Sequence, residues 1–247
     1  MKDYNIYRYT WREWLRNSFI GMAAGVILSY LFYHNWLLCL ATGLTGGALY
    51  PKYRKRVLAE RQRWSLMVEF KDAMESMIAA LAAGYSMENA ITEAYHDMLL
   101  LQDGETEMIR ELSEIKKKLQ LQHTLDELLL DLGRRSGVED IVTFAQIYAT
   151  ARRSGGNLIR IMKRTADNIT EKIEIQREIQ TMIAGKKMEA TCMMVIPLCI
   201  ILYVQIGSPD FLSPLYGNPM GVVFMCAALL IYLAGVIWIR RIMNIRC

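Results

Sequence analysis

The sequence predicts an all-α protein with four transmembrane helices, two near each end, around a cytoplasmic antiparallel bundle of about six helices. Three observations carry this. First, 53% of the 247 residues are apolar, with a mean hydropathy of +0.15, and the apolar excess is gathered into two charge-free blocks, one near each end. Second, the stretch between the blocks is charge-dense, and its apolar residues recur every three or four positions. Third, that stretch contains no proline between Pro51 and Pro197. Few glycines and prolines (16 and 5) disfavour a loop-rich β protein. Together these features exclude a disordered chain, a collagenous one and a simple soluble globule, and leave room for a soluble domain of about 140 residues plus spans.

The N-terminal arm, residues 1–17, carries Lys2, Arg8, Arg12 and Arg16. Residues 18–51 form a hairpin of two spans, Phe19–Tyr33 and Trp36–Tyr50, separated by His34 and Asn35. Each uncharged run is short of the roughly 20 residues a bilayer needs. Leu15–Ser18 and Pro51–Tyr53 can extend them. One straight helix through both runs would far exceed the hydrocarbon thickness; one uncharged run bent into a buried hairpin is the alternative. The second run follows the first at once with no A-x-A site between them, so the segment reads as a retained hairpin and not a cleaved signal. Gly21 and Gly25, and Gly43 and Gly47, stand four apart and permit close helix approach, within the hairpin or against a helix of a partner subunit.

Residues 52–189 read as the cytoplasmic bundle. Met67, Phe70, Met74, Met77 and Leu81 step by three and four, in a helix that runs from the end of the second span to Ala83. Gly84 then supplies a left-handed turn. Ser86 caps a helix bearing Met87, Ala90, Ile91, Ala94, Tyr95 and Met98, which Asp103–Gly104 ends. A third helix carries Met108, Ile109, Leu112, Ile115 and Leu119. Thr124 with Glu127, and Ser136 with Glu139, have the spacing of capping boxes and open the next two. Ser154–Gly155–Gly156 breaks the chain, and Asn157 caps a long helix that meets only Gly185 before the membrane.

The third span is Ala190–Ile206, with Pro197 tolerated inside it. Residues 207–219 form a Pro- and Gly-rich outer loop, Met220–Ile239 is the fourth span, and residues 240–247 are a tail. Charge assigns the sides. Of the 29 Lys and Arg, four precede the first span, twenty-two lie between the second and third, and three follow the fourth. The two short outer segments have none, which puts both termini and the bundle in the cytoplasm. The bundle holds 22 basic and 22 acidic residues, so the net charge of +4 is juxtamembrane. That distribution suits anionic lipid and gives no basic face for nucleic acid.

No residue cluster points to catalysis, a cofactor or a metal. The three histidines, His34, His96 and His123, are dispersed and sit in no HExxH. Cys39, Cys192, Cys199 and Cys226 lie in apolar blocks, Cys247 is the last residue, and no CxxC occurs. Gly155–Gly156 lacks the Lys-Ser/Thr of a phosphate loop. Glu139–Asp140 suit the positive end of a helix. Arg134, Arg135, Arg152 and Arg153 mark helix ends, and together are the candidate surface for a partner. No Asp, Glu, Lys or Arg lies within the spans, which weighs against a small transporter or channel component, the alternative reading.

The segments FKDAMESMIAALAAGYSMENAI and EDIVTFAQIYATARRSGGNLIRIMKRTADNITEKIEIQREI carry a family resemblance. They resemble the two halves of the type II secretion F domain, with Phe144–Ala145, the Gly155–Gly156–Asn157–Leu158 turn and Pro197 in the following span. The resemblance covers roughly residues 68–206. One copy of the domain between pairs of spans is similar to the single-domain platform proteins of tight-adherence (Tad/Flp) pili, of the TadB or TadC kind. The resemblance implies a non-enzymatic platform in a bacterial or archaeal cell membrane. Its implied partners are a hexameric secretion or pilus ATPase, pilin subunits, and a second platform protein, either a paralogue or itself. Some relatives bind a cation on this domain, but no ligand set is matched here.

Overall fold

The computed structural model describes residues 4, 9, 11–33, 36–102, 104–154, 157–208 and 219–243. All regular structure among them is helical. The helices are α1 (Trp11–Tyr33), α2 (Trp36–Ala82), α3 (Met87–Leu101), α4 (Glu107–Gln120), α5 (Leu125–Ser136), α6 (Glu139–Ser154), α7 (Leu158–Gly207) and α8 (Pro219–Met243). The chain divides into two compact units: Met1–Arg8 with Lys55–Ile175, and Tyr9–Arg54 with Gln176–Cys247.

The first unit is a bundle of six helical segments: the later part of α2, α3 to α6, and the start of α7. Its core is built from the stripes expected of each. Met67, Phe70, Met74 and Met77 of α2 are buried with Ala90, Ile91, Ala94 and Met98 of α3. They join Met108, Ile109, Leu112 and Ile115 of α4, and Leu125, Leu128, Leu129 and Leu132 of α5. Phe144 sits edge-on to Phe70 with ring centroids 5.5 Å apart. Met162, Ala166 and Ile169 of α7 close the core. Helices α5 and α6 run antiparallel, as two contacts show. Arg152, late in α6, pairs with Asp126 at the start of α5 at 2.8 Å. At the other end, a Cβ on Gly133 would stand 2.9 Å from Cα of Val142, so glycine sets the closeness of this crossing.

Ser86 caps α3 through Asn89 N–H at 3.3 Å, and Asn157 caps α7 through Arg160 N–H at 3.0 Å. The two capping boxes do not form. Thr124 stands at the N-cap of α5 but makes no side-chain cap bond. Ser136 lies in the last turn of α5, where its hydroxyl donates to Gly133 O at 2.7 Å and accepts from Val138 N–H at 3.2 Å. The reason is Gly137, whose left-handed φ of +64° ends α5 one residue later and leaves only a two-residue turn before α6. Thr106, not anticipated, caps α4.

In the second unit, α1 begins at Trp11, well ahead of Phe19. Three helices among the described residues are long and apolar enough to cross a membrane: α1, the C-terminal part of α7, and Met220–Ile239 of α8. The fourth expected span, Trp36–Tyr50, is the opening of α2; two threonines and three glycines dilute its short apolar run. The outer loop at 209–218 lies outside the described residues.

Candidate functional site

The four arginines expected to form one partner surface separate into different roles. Arg135 is only 16% exposed, and its guanidinium grips both oxygens of Glu111 at 3.0 and 2.8 Å, while its Nε donates to Asp131 at 2.8 Å. Burial pulls its pKa down, but the hydrogen bonds to Glu111 and Asp131 prevail, and the net shift is upward. Arg135 is therefore part of the bundle's internal framework and not an open docking charge. Arg153 donates to Ala149 O of its own helix at 3.1 Å. Arg152 pairs with Asp126 yet keeps about half of its side chain exposed, and Arg134 is exposed.

Glu111 explains why Arg135 is drawn inward. It occupies a position of the α4 apolar stripe, three residues after Met108 and one before Leu112, so the helix carries a carboxylate into the core at 3% exposure. A buried charge is tolerated only when paired and hydrogen-bonded. Arg135 supplies two donors, and Tyr4 supplies the third through its hydroxyl at 2.9 Å. Tyr4 is 1% exposed, reaches Glu107 at 3.3 Å as well, and donates its backbone N–H to Arg135 O at 2.9 Å. Burial first, then the two carboxylates, raises its phenol pKa. Tyr4 escaped the sequence reading because nothing in a polar N-terminal arm distinguishes a docked tyrosine from a free one. Glu111 within an apolar stripe was the visible hint. A second unforeseen contact lies close by: Glu69 accepts the Met108 N–H at 3.0 Å and satisfies an open donor in the first turn of α4.

The expected turn residues fall as follows. Gly84 has φ +91°, in the left-handed region, with nothing within 4 Å of a Cβ built on it. Asn157 is the cap already described. Gly155 and Gly156 lie outside the described residues. Pro197 sits inside α7, and Tyr232 of α8 donates to the neighbouring Met194 carbonyl at 2.9 Å. The carbonyl that Pro197 leaves without its helix donor is Met193 O, four residues back, so the Tyr232 bond falls on the carbonyl next to it.

Proline has the same effect in the first half of the chain. Pro51 lies within α2 and cannot donate to Gly47 O, four residues back. The Ser18 hydroxyl of α1 donates to that carbonyl instead, at 3.0 Å. Thr42 donates to Gly25 O at 3.2 Å. The glycines bring α1 and α2 together: a Cβ on Gly21 would stand 2.5 Å from Gly46 O, and one on Gly25 2.6 Å from Thr42 O. The small-residue faces are thus spent on each other within the hairpin.

At the end of the bundle where α3 begins and α4 ends, an open cleft of about 440 Å³ is lined by Glu88, Lys116, His123 and Arg152 among others. Tyr148, buried nearby, has its pKa pushed up to about 12, by burial first and then by the charges of Asp126 and Glu88. Among the described residues no group of three or more metal-ligating side chains assembles.

No curated protein and no solved structure matches the chain. One family profile does, that of type II secretion system (T2SS) protein F, over residues 73–206. The match takes in most of the bundle and all of α7 to the end of its membrane-spanning part. It covers more than half of the 247 residues, and the chain belongs to the type II secretion system protein F family.

Proposed function

We propose that the chain is a non-enzymatic platform in the cytoplasmic membrane for a type IV-like pilus of the tight-adherence (Tad/Flp) kind, or for a type II-like secretion machine. In this reading the bundle meets a cytoplasmic hexameric ATPase, the spans guide pilin subunits out of the bilayer, and a paralogue or a second copy completes the platform. The observation that carries it is the family match over the bundle and the following span. A single bundle between an N-terminal hairpin and C-terminal spans favours the tight-adherence branch.

The hydrogen bonds of Tyr4 support an N-terminus on the same side of the membrane as the bundle, with two crossings between them. Tyr4 and Arg135 share a backbone hydrogen bond, so they lie on one side of the membrane. Between Tyr4 and the bundle the chain must then cross an even number of times. With α1 as one crossing, the uncharged opening of α2 is the available partner, and Ser18 relieves the carbonyl that Pro51 leaves open within it.

The test is co-purification in detergent with the ATPase encoded beside this chain, paired with insertion of Gly-Gly-Ser-Gly after Lys187 in α7. The native chain is expected to retain the ATPase and support piliation. The insertion, which softens α7 without removing a residue, is expected to retain the ATPase and lose piliation. Normal piliation with the insertion would leave a passive scaffold, and failure of the native chain to retain the ATPase would overturn the coupling role.

A further inference from the structure

We infer that the exposed side of α6, with the start of α7 beside it, is a docking face for one helix of the ATPase. Glu139, Thr143, Gln146, Thr150 and Arg153 step by four, three, four and three, so they lie along one side of α6. All five are exposed, while Ile141, Phe144, Ala145 and Tyr148 on the opposite side are buried in the core. In a bundle with 22 basic and 22 acidic residues, positions 141–151 of α6 carry no charge. The outer face of a solvated helix ordinarily carries charge, and charge depletion at the centre of a surface patch marks contact with another protein. The face is also hollowed. Two adjoining open grooves of about 360 and 370 Å³ lie between α6 and α7 and share Ile147 and Ile161.

Charge and composition select the occupant. Helix α6 opens with Glu139 and Asp140 and closes with Arg152 and Arg153. Glu139 and Arg153 stand about 21 Å apart along the helix axis, four turns of a partner helix. A partner helix that obeys the same dipole rule is acidic at its own start and basic at its end. Laid antiparallel to α6, it brings its basic end to Glu139 and its acidic end to Arg153, with an uncharged middle over Gln146 and Thr150. Laid parallel, it sets like charges together at both ends. The middle of the face is mostly hydroxyl and amide, with Ile147, 40% exposed, as its large apolar side chain. Permanent subunit interfaces are more apolar than this. A polar face suits a partner that binds and releases during ATP turnover, and not a second platform copy held in place. Because the partner is the ATPase of the platform reading, the docking face rests on that reading and adds to it the surface that is used.

The test is the affinity of the full chain, in detergent, for the ATPase encoded beside it. Gln146→Lys with Thr150→Lys puts two charges in the middle of the face and is expected to weaken binding about tenfold or more. Both side chains are exposed, so the melting temperature should stay close to the native one. Leu121→Lys, at an exposed site on α4's end of the bundle, is expected to bind as the native chain does. A second variant, Glu139→Lys with Arg153→Glu, reverses both ends of the face. It is expected to weaken binding about threefold at low salt, with the difference closing at high salt. Native affinity in the lysine variant would overturn the docking face, and an unmoved low-salt affinity in the reversed variant would overturn the antiparallel charge match. A lysine variant that lowers the mass of the solubilised oligomer and leaves ATPase affinity intact would assign the face to a second copy instead. A native chain that does not bind the ATPase overturns the platform reading and this occupant together, whereas a native chain and lysine variant that bind equally overturn this face alone.

Discussion

Replacing Arg135 with alanine isolates the energetics of the buried network. The substitution removes two of the three hydrogen-bond donors to Glu111, at 3.0 and 2.8 Å, and leaves only the Tyr4 hydroxyl at 2.9 Å. The carboxylate stays where α4 places it, at 3% exposure. Breaking a buried pair from one side costs about 3–5 kcal/mol, because a buried charge is left uncompensated. The lower end applies here, since Arg135 keeps 16% of its side chain exposed and water can follow its removal. A loss of about 3 kcal/mol in a bundle of this size lowers the melting temperature by roughly 10 °C. Thermal unfolding of the detergent-solubilised chain, followed by circular dichroism, reads this directly.

Removing the whole set together, with Tyr4→Phe, Glu111→Leu and Arg135→Met, is expected to restore stability to within about 1 kcal/mol of the native chain. A single Arg135→Ala that costs less than about 1 kcal/mol would refute the argument. So would a triple variant as damaged as the single one, because burial without compensation would then not be the cause.

Gly84→Val should destabilise the bundle by more than the ~1 kcal/mol that separates glycine from ordinary helix residues, with Gly84→Asn milder, because the cost lies in φ +91° and not in crowding; equal melting temperatures for Val and Asn would contradict this. Gly21→Leu should separate α1 from α2, since the new Cβ would stand 2.5 Å from Gly46 O, and the yield of folded protein after detergent extraction should fall. At alkaline pH the bundle should lose stability between about pH 10 and 12. Tyr148 ionises near 10 in the unfolded chain but is held up to about 12 in the fold, so the unfolded state binds fewer protons in that window. Tyr148→Phe should flatten that decline in an unfolding series. Finally, Cys247 should resist an impermeant thiol reagent applied outside intact cells while an introduced Ser213→Cys reacts; labelling of Cys247 would place the C-terminus outside.

What the sequence determined by itself is what repeats along it. The stripe Met67, Phe70, Met74, Met77 and its counterparts in α3 to α7 dictate amphipathic helices, because a 3.6-residue period leaves one face to bury. Gly84 and Asn157 punctuate them through local backbone and cap chemistry, and charge-free runs mark membrane segments because a bilayer offers charge no solvation. The tertiary structure decided whatever depends on partners far apart in sequence. Glu111 and Arg135 read as a stripe interruption and a helix-end cation until folding set them face to face with Tyr4 beside them, 107 residues from Glu111. Ser136 had a capping box's spacing, but Gly137 turned the chain a residue later and gave its hydroxyl to α5. The carbonyl that Pro51 leaves open finds Ser18 only because glycines let α1 and α2 approach. Periodicity is written locally, whereas the matching of a buried charge or an orphaned carbonyl is settled only when distant segments meet and water is excluded from between them.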